Sequence, residues 1–159
     1  ALAGLAFFTL WFGPFPEELG WRGYALDRLL ARTSALRASL GLGAVWAAWH
    51  LPLFFVPGTF QQGLALGSAR SLVFLATMLP LSVVMTWVWA TSRRSTLAAV
   101  LVHASGNFCG ALVAKSLRLA TLELVLLCAP AVWLVARHGG ERLGAPAEPA
   151  VAPPGRAPA

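Results

Sequence analysis

Residues 35–56 read ALRASLGLGAVWAAWHLPLFFV, and the stretches 71–91, 95–114 and 119–136 are comparably apolar. A bilayer core about 30 Å thick is crossed by roughly 20 mostly apolar residues in a helix, so each of these runs is long enough to span it. A further apolar segment, 1–15, opens the chain and is closed by Pro14 and Pro16, and a helix over about 17–32 follows it. The chain is 58% hydrophobic and 11% charged, with a mean hydropathy of +0.71, whereas about a quarter of the residues of a soluble domain are charged. The sequence therefore predicts an all-α, polytopic transmembrane helical bundle, with about five apolar helices plus the helix at 17–32. It is too short for two ordinary domains.

From Gly139 the composition turns to Ala, Pro and Gly. That divides the chain into a membrane domain over 1–138 and a disordered tail over 139–159. No basic stretch precedes the opening apolar run and no small-residue cleavage site closes it, so no signal peptide is expected, and the domain reads as N-terminally truncated. Cys109 and Cys128 lie inside apolar runs and read as small core residues rather than a disulfide.

The net charge of +6 forms no basic stripe, which argues against a nucleic-acid partner. The arginines instead fall between the apolar segments. Arg28, Arg32, Arg37, Arg93, Arg94, Arg137 and Arg142 lie on one side of the alternating spans, and Arg70, Lys115 and Arg118 on the other. The positive-inside rule puts the first group, and with it the C-terminal tail, in the cytoplasm. The expected location is a bacterial inner (cell) membrane, with the lipid bilayer as a partner.

Ionisable groups inside such a bundle are costly and are functional candidates by default. Glu17 and Glu18, in PEELGWRG, are two of only six acidic residues in the chain. Glu18 and Arg22 are spaced i,i+4 and share a helix face. Pro14 and Pro16 suit a first helical turn, which sets the pair near the positive end of the helix dipole. Burial and mutual repulsion oppose ionisation, and a carboxylate so balanced suits general-base work; a structural ion pair is the plainer alternative. His50 precedes Pro52, which cannot donate to the carbonyl of Ala48, so the helix opens just past the histidine. Trp46, one turn earlier, is placed to wall the same face. His103 and Asn107 are again i,i+4, separated by the small residues Ala104, Ser105 and Gly106, which suits either a site or an interhelical polar clamp. Glu123 has no partner at helical spacing and reads as structural. Two glutamates, two histidines and an asparagine on three apolar segments can polarise a water, directly or through a metal. No HExxH motif is present.

The order of these motifs resembles the CPBP family of intramembrane proteases, also known as the CAAX-protease and bacteriocin-processing, or Abi, family. EELGWR matches EExxxR, WAAWH is similar to FxxxH with Trp46 in place of phenylalanine, and HASGN matches HxxxN, together covering roughly residues 10–115. The resemblance implies an intramembrane metalloendopeptidase-like enzyme acting on a peptide or membrane-protein substrate near the membrane surface. It implies Glu17 or Glu18 and His50 as activators of water, with the first glutamate the usual base, and His103 and Asn107 as metal ligand and neighbour or as oxyanion donors. Arg22 would hold a glutamate, and a divalent metal such as Zn2+, if bound, would fall to Glu17, His50 and His103. The alternatives are a non-catalytic membrane protein that regulates another or confers bacteriocin immunity, and a proton-relaying transporter. The absence of inverted repeats speaks against the transporter.

Overall fold

The computed structural model describes residues 2–112 and 116–144, and among them the chain is helical with no strand. The elements are α1 (Leu2–Trp11), α2 (Pro14–Gly20), a π-helical turn (Trp21–Ala25), α3 (Leu26–Leu30), α4 (Ala35–Trp49), a 3-10 turn (Leu51–Phe55), α5 (Phe60–Leu64), α6 (Ala69–Thr91), α7 (Thr96–Leu112) and α8 (Leu117–His138). Three segments are long and apolar enough to cross a membrane: Ala35–Phe55, Ala69–Thr91 and Leu117–His138. Thr96–Leu112 is apolar but shorter, and the opening apolar run forms only the ten-residue α1.

Starts and stops follow local chemistry. Ser34, Ser68 and Ser116 cap α4, α6 and α8, each hydroxyl accepting a backbone N–H from three residues on, which satisfies a donor the first turn would otherwise leave unpaired. Helix α4 ends at Trp49, and the 3-10 turn that carries Pro52 comes next, as the lost proline N–H requires. Pro14 and Pro16 lie in the first turn of α2, where a missing N–H costs nothing.

Helix α6 is the centre of the bundle, packed against α4 on one side and α8 on another. Gly43 makes the first of these contacts close: a Cβ there would lie 2.9 Å from the Met78 carbonyl oxygen and 3.1 Å from Leu79 Cα. Small residues at helix crossings are how membrane helices gain packing where lipid offers no hydrophobic drive. Trp46, Met78, Met85 and Ala99 form a buried cluster that draws in α7. The outward faces carry exposed Phe7, Phe8, Leu72, Leu101, Val125 and Trp133, an apolar surface of the kind that faces lipid.

Two expectations are corrected here. Cys109 and Cys128 are exposed, not core residues; on helices whose outer faces meet lipid, an apolar thiol is as well placed outside as inside. Residues 139–144 are not a loose tail. Ala35 and Leu36 donate their N–H groups to the carbonyls of Glu141 and Gly140, and Leu143 is fully buried with Ala35, Val83 and Ala131. The backbone thus finds partners at the open start of α4 that composition alone does not reveal. Residues 145–159 lie outside the described residues.

Candidate active site

The prolines that start α2 set Glu17 and Glu18 in its first turns, on opposite tasks. Glu18 is fully buried and Glu17 half-buried. The Glu18 carboxylate accepts from Arg22 Nη1 at 3.1 and 3.0 Å and faces His103 Nδ1 at 2.9 Å from Oε1. Arg22 is itself fully buried; its Nη2 donates to Ser82 Oγ at 3.2 Å, and its guanidinium lies 5.2 Å from the centroid of the Trp46 ring. A buried charge survives only when paired and hydrogen-bonded, and Glu18, Arg22, Ser82 and His103 supply that for one another. Arg22 falls at the start of the π-turn, where Leu26 donates its N–H to the carbonyl of Trp21. The extra residue in that turn is of the type often found at functional sites.

Glu17 is held differently. Trp46 Nε1 donates to its Oε2 at 2.8 Å, so the aromatic expected as a wall is also a hydrogen-bond donor, which phenylalanine could not be. The carbonyl of Trp46 in turn takes His50 Nδ1 at 2.8 Å. A carbonyl oxygen only accepts, so Nδ1 carries the proton and a neutral His50 keeps its Nε2 lone pair free. His103 Nδ1 likewise faces an oxygen, Glu18 Oε1. Trp46 joins the two groups, its ring 4.9 Å from that of His103 and 6.1 Å from that of His50, while Phe74 packs edge-on against His50 at 5.2 Å. Asn107 is exposed one turn beyond His103, its Nδ2 4.0 Å from where a Cβ on Gly13 would stand.

A cavity of about 540 Å³ adjoins this cluster, within the range of small-molecule and peptide pockets. His103 and Asn107 line it, with Phe74 and Met78, and it extends to Arg70 and Glu123.

The structure thus brings Glu18, Arg22 and His103 into direct contact and links Glu17 to His50 through Trp46; Asn107 shares the cavity with His103. Ser82, Phe74 and Arg70 were not singled out from sequence. A serine in an apolar helix is a common small residue, and only the arginine aimed at it gives Ser82 a role. Among the described residues no group of three His, Cys, Asp or Glu side chains is placed to hold a metal ion.

Comparison with known proteins points to the same family. A family model described as type II CAAX prenyl endopeptidase Rce1-like matches residues 1–109. CAAX prenyl protease 2 of Methanococcus maripaludis is 40% identical over 88 residues, covering 55% of this chain and 32% of that protein. The chain therefore spans about a third of the length of the curated relative it matches.

Proposed function

The chain belongs to the Rce1-like family of type II CAAX prenyl endopeptidases, and on that footing we propose that it is an integral membrane endopeptidase whose side chains activate water within the bundle. The observation that carries the reading is the convergence of three distant motifs: Glu18 meets His103 at 2.9 Å and Trp46 holds Glu17 at 2.8 Å.

Glu17 is the base in this reading. Both oxygens of Glu18 are engaged by Arg22, and one also by His103, whereas Glu17 has Trp46 on Oε2 only and is half-buried. Glu17 takes a proton from water as the oxygen adds to the peptide carbonyl carbon, and His50 Nε2 accepts the water's other hydrogen in a hydrogen bond. The oxyanion receives a hydrogen bond from the Asn107 amide, beside His103, which Glu18 holds through Nδ1. As the C–N bond breaks, Glu17 returns its proton to the departing amine. Glu18 and Arg22 act through His103 as positioning residues. Every step here is carried by a side chain of the bundle.

The relative is named a CAAX prenyl protease. For this chain the substrate class is a peptide that reaches a bacterial cell membrane, cut near the membrane surface. The test is new peptide termini in membranes expressing wild type, Glu17→Gln or His50→Ala at matched levels. Termini unique to wild type are expected, with rates at least about 100-fold lower in each variant, the usual worth of a general base. Identical termini in all three would remove the peptidase reading and favour a regulatory membrane protein.

A further inference from the structure

Trp46 stands where the motif FxxxH carries phenylalanine. Its indole does what a phenyl ring cannot: Nε1 donates to Glu17 Oε2 at 2.8 Å. The donor is rigidly held. Trp46 is 1% exposed, its ring lies edge-on to that of His103 at 4.9 Å, and the Arg22 guanidinium sits 5.2 Å from its centroid. Met78, Met85 and Ala99 close the same buried cluster. A side chain packed this tightly keeps one rotamer, and it passes that order to the group it hydrogen-bonds. The Glu17 carboxylate, by contrast, is half-buried and among the described residues is held by Trp46 alone.

The same residue reaches His50 through its backbone. Helix α4 ends at Trp49, which leaves its last carbonyls without helical partners. The His50 N–H turns to Ala47 at 3.1 Å, and the Trp46 carbonyl takes the imidazole Nδ1 at 2.8 Å. One residue therefore bonds the base by its side chain and the histidine by its main chain. We propose that Trp46 is a positioning residue: by holding Oε2 it turns Glu17 Oε1 toward the water and fixes it relative to His50 Nε2. This assignment rests on the endopeptidase reading. A carboxylate free to change rotamer would present its base in several arrangements, and a small misplacement lowers a rate steeply. With Trp46 that order is set when the protein folds rather than in each turnover. The cavity is lined by other residues, so losing the indole N–H should lower kcat and leave KM little changed.

The test uses the full chain in lipid vesicles and a synthetic peptide spanning a cut made only by wild type. Trp46→Phe keeps an aromatic ring and removes the donor. Met85→Ala is the packing control, since it opens the same buried cluster and takes no hydrogen bond from the site. Both are assayed below their unfolding midpoints. Trp46→Phe is expected to lower kcat about tenfold or more, the worth of a hydrogen bond to a charged group, with KM close to wild type. Met85→Ala should keep kcat close to wild type even as its midpoint falls. An unchanged kcat in Trp46→Phe, or an equal fall in both variants, would overturn the assignment; the equal fall marks packing alone. A second readout needs no cleavage. The infrared N–H stretch of the Trp46 indole is isolated in each background by subtracting the matching Trp46→Phe protein. It should report a strong hydrogen bond in wild type, a weaker one in Glu17→Gln and none in Glu17→Ala. The same band in all three would overturn the assignment even where peptides are cut. A bonded indole in a protein that cuts no peptide would keep Trp46 as the holder of Glu17 and remove the peptidase reading instead.

Discussion

Glu18 and Arg22 show how one pair of charges serves both stability and placement. Each is fully buried, and each is the other's main partner. Removing one leaves an unpaired charge, so Arg22→Ala should destabilise the protein by about 3–5 kcal/mol, read as a lower unfolding midpoint in detergent. Replacing both, as Glu18→Leu with Arg22→Met, removes the charges together, and stability should return close to wild type. Cleavage should not return, because His103 Nδ1 then faces no carboxylate. A double variant as active as wild type would show the pair to be structural only. The pairing was legible in the sequence, since i,i+4 spacing puts acid and base on one face. The division of labour was not: which glutamate is sequestered depends on His103, 85 residues away, and on the Trp46 Nε1 hydrogen bond. No local spacing encodes either contact.

Among the helices, the contact of α4 with α6 positions Trp46 and His50 against the rest of the site, and Gly43 is where it can be tested. In an open helical position, alanine for glycine stabilises by about 1 kcal/mol. Gly41 is such a position, with nothing within 4 Å of an added Cβ, and Gly41→Ala should raise the unfolding midpoint. Gly43→Ala should lower it, by about 1–3 kcal/mol of overpacking, because the new methyl meets the α6 backbone. Equal effects from the two substitutions would show that α4 and α6 do not pack this closely. The three long spans were readable to within about two residues: 35–56, 71–91 and 119–136 appear as Ala35–Phe55, Ala69–Thr91 and Leu117–His138, whereas 1–15 shortens to Leu2–Trp11 and 17–32 is broken by the π-turn. The earlier starts of α6 and α8 trace to the Ser68 and Ser116 caps, a signal present in the sequence but outweighed by the hydropathy of the residues after each serine. The π-turn at Trp21–Ala25 had no such signal, for its register answers to Arg22 reaching Ser82 and Glu18.

For the whole molecule, the open question is which membrane face the substrate comes from, and the charges and the site together give an answer. The loops bearing Arg28, Arg32, Arg37, Arg93, Arg94, Arg137 and Arg142 gather at one end of the bundle. Asp27 pairs with Arg94, and Glu141 and Gly140 accept backbone hydrogen bonds from the start of α4. Arg70 and Arg118 begin α6 and α8 at the opposite end. From the positive-inside rule we propose that the first end faces the cytoplasm. His50 closes α4, about 22 Å along the helix from Ala35, and the cavity extends from His103 to Arg70. Both therefore lie toward the outer face, which suits peptides that have left the cytoplasm better than cytoplasmic protein tails. Single cysteines can decide this once the exposed Cys109 and Cys128 are changed to serine and alanine. In intact cells a membrane-impermeant maleimide should label Leu66→Cys, in the loop before α6, and leave Glu141→Cys unlabelled until the cells are opened. The reverse pattern would turn the bundle over, place the Arg70 end of the cavity in the cytoplasm, and make a cytoplasmic protein tail the substrate to look for.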